Sequence, residues 1–331
     1  MLRWLLILLG GLLLLGLATL TLAPFLIPTA PIQGLEPAAE VAPPQSHFVR
    51  VDAPGSEGLE LHYLETGAKG EGPTLVLLHG FTFNAFTWNR VMDDLGRHGR
   101  VLAYDQVPYG LSAKPVPGQG GGPSPYTMEA ALDHLFAFLD AQDVERAVLV
   151  GNSAGGTLAL EAALQHPQRV QGLILVNPWV YVNRPTFPDW VAGLPQMERL
   201  SLFLARQMGR RAPLLDLSYA HPERIGPQRR ALTRIHTRVH HWDLAWGELF
   251  RQSLTRPVTV SDHLAEIPQP ALVLVGEADR VVDPQDSLRA AGALPRAETA
   301  VLPDCGHVPQ EECPQAVVHE MEAWLGANAF P

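Results

Sequence analysis

Gly151-Asn152-Ser153-Ala154-Gly155 is the stretch that decides how this chain folds. An apolar run, Ala147-Val148-Leu149-Val150, precedes it, and a helix-forming run from Thr157 to Leu164 follows. The order is strand, tight turn and helix, with a serine at the apex. A strand that turns straight into a helix brings two backbones together and leaves no room for a Cβ on either flank, which is where the glycines stand. Such a turn strains the serine and exposes its oxygen at the carboxyl end of a sheet. The Ala154 N–H opens the helix and points into the same space, where a negatively charged oxygen is stabilised. Gly and Ser also make ordinary turns, so it is the strand before and the helix after that give the pentapeptide its weight.

A serine hydroxyl is a poor nucleophile at neutral pH; it needs a base, and the base needs an orienting carboxylate. Two later strand-like runs end in suitable loops. Ala271-Leu272-Val273-Leu274-Val275 leads into Gly276-Glu277-Ala278-Asp279-Arg280, and Ala300-Val301-Leu302 leads into Pro303-Asp304-Cys305-Gly306-His307. Each sets a polar side chain just past a strand, on the edge that carries Ser153. Asp283 precedes Pro284 and a helical stretch, so it reads as an N-cap. Alternating buried strands and helices imply a mostly parallel sheet covered on both faces.

The chain order Ser153, Asp279, His307 and the motifs around it resemble the α/β-hydrolase family over residues 73–180 and 265–327. The resemblance implies an eight-stranded, mostly parallel sheet with helices on both faces and a helical cap inserted over the active site. It implies Ser153 as nucleophile, His307 as base and then acid, and Asp279, at the position matching Gly-x-x-Asp from Gly276, as the orienting acid. Glu277 and Asp283 compete for that third role. Some relatives draw the acid from the preceding strand, but here that loop is Asn177-Pro178. Thr74-Leu75-Val76-Leu77-Leu78 runs into His79-Gly80-Phe81-Thr82, which resembles the family's oxyanion loop. By that match Phe81 supplies one backbone N–H and Ala154 the other, and the Phe81 ring begins the pocket wall. Gly151 and Gly155 are the elbow glycines. His79 supports the loop, and Asp105, in Tyr104-Asp105 with Gly110 and Ser112, is structural. Pro108 stands where the family usually has a glycine. No cofactor is expected.

The amino terminus is of another kind. Residues 4–23 carry no charge, and two threonines are their only polar side chains. At ~1.5 Å per residue they reach roughly 30 Å, about one hydrocarbon core. Arg3 precedes them, and Glu36 and Glu40 come before the next basic residue, Arg50. That bias places the N-terminus in the cytoplasm and the catalytic domain outside. The competing reading is a secretory signal cleaved after Gly16-Leu17-Ala18. The expected organisation is a membrane anchor at 1–27, a stiff Pro/Ala-rich tether at 28–46 with no part in the hydrolase core, the core at 47–180 and 263–331, and the cap at 181–262. Gly118 to Pro125 reads as a surface loop. Cys305 and Cys313 are the only cysteines of the 331 residues. Export permits a disulfide between them. Similar sequences also carry Cys305 as a free thiol, and that is the preferred expectation.

Within the cap, Met197, Leu200, Phe203, Leu204 and Met208 share a helical face, with Trp190, Trp242 and Trp246 nearby. Most of these are expected to close the cap's own core and some to roof the pocket, which favours an apolar acyl or alcohol group. The cap holds twelve arginines against seven acids, a net +5, in a chain of net charge −10. A basic cap suits anionic lipid or a carboxylate substrate, although a solvated arginine-rich surface is the plainer reading. Overall acidity argues against nucleic acid, and no obligate protein partner is evident. His236, His240 and His241 include an i, i+4 pair but lack companion ligands, so no metal is expected. The expected function is a membrane-anchored serine hydrolase, esterase- or lipase-like, cleaving a small apolar ester through an acyl-enzyme. One alternative is a C–C bond hydrolase, against which Val308 stands where those enzymes usually carry tryptophan. Another is a non-enzymatic binding protein on the same fold, which commonly lacks a triad member.

Overall fold

The strands follow from short runs that are apolar at nearly every position. In the computed structural model, which describes residues 2–70, 72–116, 124–181, 186–328 and 330, they are β1 (His47–Ala53), β2 (Ser56–Thr66), β3 (Leu75–Leu78), β4 (Val101–Tyr104), β5 (Ala147–Asn152), β6 (Val170–Val176), β7 (Ala271–Gly276) and β8 (Ala297–Leu302). They form one eight-stranded sheet in the order β1-β2-β4-β3-β5-β6-β7-β8. The first two pairings are antiparallel and the other five parallel. Strands β3, β4, β5 and β7 are buried along their whole length, as strands covered on both faces must be.

Alternate side chains of these strands enter two separate cores. On one face Val76, Leu78, Leu149 and Val273 pack against the helices Met128–Ala141 and Ala154–Gln165 through Leu135, Phe138 and Leu158. On the other Leu75, Leu77, Val148 and Leu274 meet Val317, Met321 and Trp324 of the C-terminal helix. The long helices are α1 (Leu2–Leu22), α2 (Met128–Ala141), α3 (Ala154–Gln165), α4 (Pro195–Arg211), α5 (Trp242–Ser253), α6 (Pro284–Ala293) and α7 (Pro314–Ala327). The cap, between β6 and β7, is built on the α4–α5 pair.

That pair corrects the expected orientation of α4. Its buried face is Ser201, Leu202, Ala205 and Gly209, while Leu200, Phe203 and Leu204 are 36%, 43% and 51% exposed. The reason is the bulk on α5. A Cβ at Gly209 would lie 2.2 Å from the Trp242 ring, so only a small-residue face lets the helices approach. Trp242, Trp246 and Phe250 close the cap's own core against Tyr109, and Trp190 is exposed.

Helix α1 is exposed along its described side chains and is long and apolar enough to be a membrane span or a signal sequence. The segment after it is not a free tether. Arg206 donates to the carbonyls of Pro28 (2.6 Å) and Ala30 (2.9 Å), and Glu36 pairs along the backbone with Val239. Ile32 and Leu35 pack on the Trp242–Trp246 cluster, and Val41 is buried in the main core. A proline-rich chain offers carbonyls with few local N–H donors to occupy them; cap arginines take that role. The cysteines also differ from expectation. Cys305 and Cys313 are disulfide-bonded, tying the loop before His307 to the start of α7. Most of the 118–125 loop, and Arg184 of the cap, lie outside the described residues.

Candidate active site

Ser153 directly follows β5 with φ 55° and ψ −120°, a conformation that a residue with a Cβ adopts only under strain. The neighbouring backbone enforces it. Ser153 N–H donates to the Val176 carbonyl (3.0 Å), and its own carbonyl accepts from Gly156, Thr157 and Trp179 N–H groups. A Cβ at Gly151 would sit 2.4 Å from the Gly155 carbonyl oxygen, and one at Gly155 would sit 2.2 Å from that of Leu78. Both flanks are therefore closed to any side chain, as the pentapeptide implies.

His307 lies in the loop after β8, and its Nδ1 donates to Asp279 Oδ2 at 2.7 Å. Both side chains are buried. The other Asp279 oxygen accepts from the N–H groups of Val281 (2.7 Å) and Val282 (3.0 Å), which fixes the carboxylate. With Nδ1 donating, Nε2 of a neutral His307 is left as the acceptor. Of the three competing acids, Glu277 is exposed, and Asp283 caps α6 by accepting from Gln285 N–H at 2.9 Å. Asp279 is the one in contact with the histidine.

Several residues that place His307 were not read from the sequence. Asn152 and Asn177 donate to its carbonyl at 2.9 and 3.1 Å. The Ser218 carbonyl, from the cap, accepts its N–H at 2.7 Å. Glu312 accepts from Gly306 N–H and, on the cap side, from Ala220 and His221 N–H. Asn152 ends β5 and Asn177 directly follows β6, positions that could draw attention; nothing local marks Ser218 or Glu312.

The loop after β3 lies against the elbow. A Cβ on Gly80 would touch the Ser153 Cβ at 3.1 Å. His79 accepts from Gln106 N–H through Nε2 (3.1 Å) and donates from Nδ1 to the Gly80 carbonyl (2.8 Å), so it braces the loop. Burial pushes its pKa below the usual histidine value and keeps it neutral. Asp105 accepts from Ala85 N–H, Leu111 N–H and His62. Burial alone would raise its pKa, but the His62 partnership and the Ala85 N–H outweigh it and lower the pKa overall.

Ser153, His307, Phe81 and Ala154 all line one cavity of about 640 Å³. Phe83, Leu158 and Val281 from the core and Leu214 and Leu249 from the cap add apolar wall; Gln252 and Ser253 are among its polar positions. Trp242 and Trp246 are not in it. The cap arginines are largely engaged: Arg206 with Asp243, Arg229 with Glu311, Arg230 with Asp216 and Arg251 with Glu248. His236 is buried and stacked on Trp246, and among the described residues no three potential metal ligands cluster.

Comparison with known proteins agrees with this geometry. A 2-hydroxymuconate semialdehyde hydrolase of Pseudomonas sp. (strain CF600) is 30% identical over 73% of this chain and 83% of its own length. A 2-hydroxy-6-oxononadienedioate/2-hydroxy-6-oxononatrienedioate hydrolase of Paraburkholderia phymatum is 34% identical over 81% of this chain and 91% of its own. The crystal structure of a bacterial membrane phospholipase A superposes with a TM-score of 0.66 at 27% identity, covering 99% of this chain and all of that one. Residues 73–314 match the family model described as alpha/beta hydrolase fold. With the strained elbow, the sheet order and this match in agreement, the chain belongs to the alpha/beta hydrolase fold family.

Proposed function

We propose that this protein is a membrane-anchored serine hydrolase that cleaves an ester of an apolar acyl group. The observation that carries the chemistry is that Ser153 and the Asp279-paired His307 open on the same apolar cavity. In the first step His307 Nε2 takes the Ser153 proton as Oγ attacks the carbonyl carbon. The oxyanion is received by the Phe81 and Ala154 N–H groups, the second at the start of α3. Collapse expels the alcohol, which takes the proton back from His307. Water, deprotonated by the same histidine, then releases the acid. Asp279 holds the ring in the required tautomer and stabilises its charged form.

The sequence relatives named in the preceding section are hydrolases of 2-hydroxymuconate semialdehyde and 2-hydroxy-6-oxo-dienedioate type, and they favour the carbon–carbon reading over an ester. The ester reading draws on the phospholipase, which is similar across the whole chain including the N-terminal helix. It also draws on Val308, fully buried where ring-cleavage enzymes usually carry tryptophan. One assay separates the two: a chain-length series of nitrophenyl esters run beside a 2-hydroxy-6-oxo-dienoate. Ester turnover that increases with acyl length, and that falls on the order of 10⁶-fold in Ser153→Ala, is the expected result. Faster cleavage of the dienoate than of any ester would move the assignment to the second reading.

A further inference from the structure

Among the described residues, the outward face of α4 is left exposed. Leu200, Phe203 and Leu204 fall at helical i, i+3 and i+4 spacing and are exposed, and just before the helix Leu194 and Trp190, the latter 71% exposed, are exposed as well. Isolated exposed leucines are ordinary, but a continuous apolar stripe on one face is not. The stripe is also joined to the N-terminal helix. Gln196 donates to the Thr21 carbonyl at 3.5 Å, and Arg199 donates to those of Phe25 (3.3 Å) and Ile27 (3.1 Å). The Arg199 guanidinium lies 5.1 Å from the Phe25 ring centroid. Leu22, Phe25 and Leu26 are themselves exposed, so apolar surface runs from α1 through the turn Ala23–Leu26 onto α4. At the far end Arg210 and Arg211 are exposed, and the acids Asp189 and Glu198, near the start of α4, are exposed too.

We propose that this face of the cap is a membrane-docking surface, seated in the interfacial layer of the bilayer that holds α1. The inference rests on the anchor reading. Continuity with α1 selects the occupant, because a span that ends at Leu22 leaves the next apolar residues at the level of the headgroups. An apolar stripe closed by basic residues is the pattern of a helix lying in that layer, with arginines toward anionic phosphates. Docking would deliver the cap, and the cavity it roofs, to substrates dissolved in the bilayer.

The test uses the full-length protein in vesicles of phosphatidylcholine with phosphatidylglycerol. An environment-sensitive probe on Leu204→Cys should shift to the blue on transfer from detergent, and shallow spin-labelled lipid should quench it. The same probe on Val301→Cys, on the exposed edge strand, should do neither. In a separate arm, Phe203→Glu with Leu204→Glu should keep hydrolysis of a water-soluble short ester within about twofold. Cleavage of a vesicle-embedded ester should drop by about tenfold or more, the factor implied by losing two apolar contacts. A probe at 204 that responds like the one at 301 overturns the proposal. So does a blue shift without lipid quenching in a chain that cross-links to a second copy, which would assign the face to self-association. Carbonate extraction reports insertion of α1 independently, and the probe needs no turnover, so failure of the anchor or ester reading is distinguishable from failure of docking.

Discussion

Asp279 and Asp283 are one helical turn apart in sequence and differ entirely in what they touch. Asp279 is buried with one oxygen on His307 and the other on two backbone N–H groups; Asp283 is an exposed helix cap. Asp279→Asn puts an amide where the carboxylate accepts the Nδ1 proton, which favours the wrong tautomer of His307. Turnover should fall on the order of 10⁴-fold. Asp283→Asn should leave turnover near wild type and cost well under about 1 kcal/mol, because Asn caps almost as well. A steady-state comparison of the two variants checks the assignment, and the reverse ranking would move the acid to Asp283. Ser153, Asp279 and His307 are legible in sequence because each stands at a fixed step past its own strand, and local patterning finds strands. The residues that hold the His307 loop are not legible for the opposite reason. Asn177 and Ser218 reach it across 130 and 89 residues of chain, and a carbonyl acceptor such as that of Ser218 has no side-chain signature. The cysteine pair falls between these cases: eight residues of separation permit a bridge without requiring one.

Elements were legible where burial dictates a period and illegible where two faces compete. The central strands read as unbroken apolar runs because each has two cores to feed. On α4 the apolar stripe reads as the inner face, yet Trp242 leaves no room for a Cβ at Gly209, so the face of smaller residues turns inward. Composition likewise misled at residues 28–46. Proline and alanine signal a spacer, but prolines leave carbonyls open, and Arg206 binds those of Pro28 and Ala30. The consequence is testable by truncation. A chain beginning at Pro28 keeps Ile32, Leu35 and Val41 on the cap and core; a chain beginning at His47 loses all three and the Ser46 contact to His62. Losing that much apolar burial should cost about 3 kcal/mol or more, read as a lower urea midpoint with little change in m. The longer truncation should also turn over substrate less well, since the cap loses its brace. Equal midpoints for the two truncations would show that the docked segment contributes nothing to the fold.

At the scale of the whole molecule, the buried histidines set how the fold responds to acid. Burial desolvates the His134 ring, which is 2% exposed, and brings its pKa down to about 4. His236 is lowered to about 3 by burial first and by the nearby Lys114 charge second. Burial lowers His79 as well. In the unfolded chain these rings titrate near the ordinary value of about 6.5. Between that value and the folded pKa the unfolded state binds more protons than the native one, so acid favours unfolding. The stabilising contribution of His134 and His236 is complete above about pH 6.5 and declines through pH 5, by roughly 1 kcal/mol per pH unit for each of the two. His221 and His263 shift the other way, through hydrogen bonds to Asp304 and Glu266, but both are solvent-screened and offset little of this. Urea midpoints should therefore fall from pH 7 to pH 5, well before the paired carboxylates protonate. His236→Phe preserves an aromatic ring against Trp246 and removes one titrating group, so its midpoint should change less steeply with pH than that of the wild type. Parallel curves for the two proteins would mean that His236 carries its proton in the fold, and that the cap interior is wetter than its packing implies.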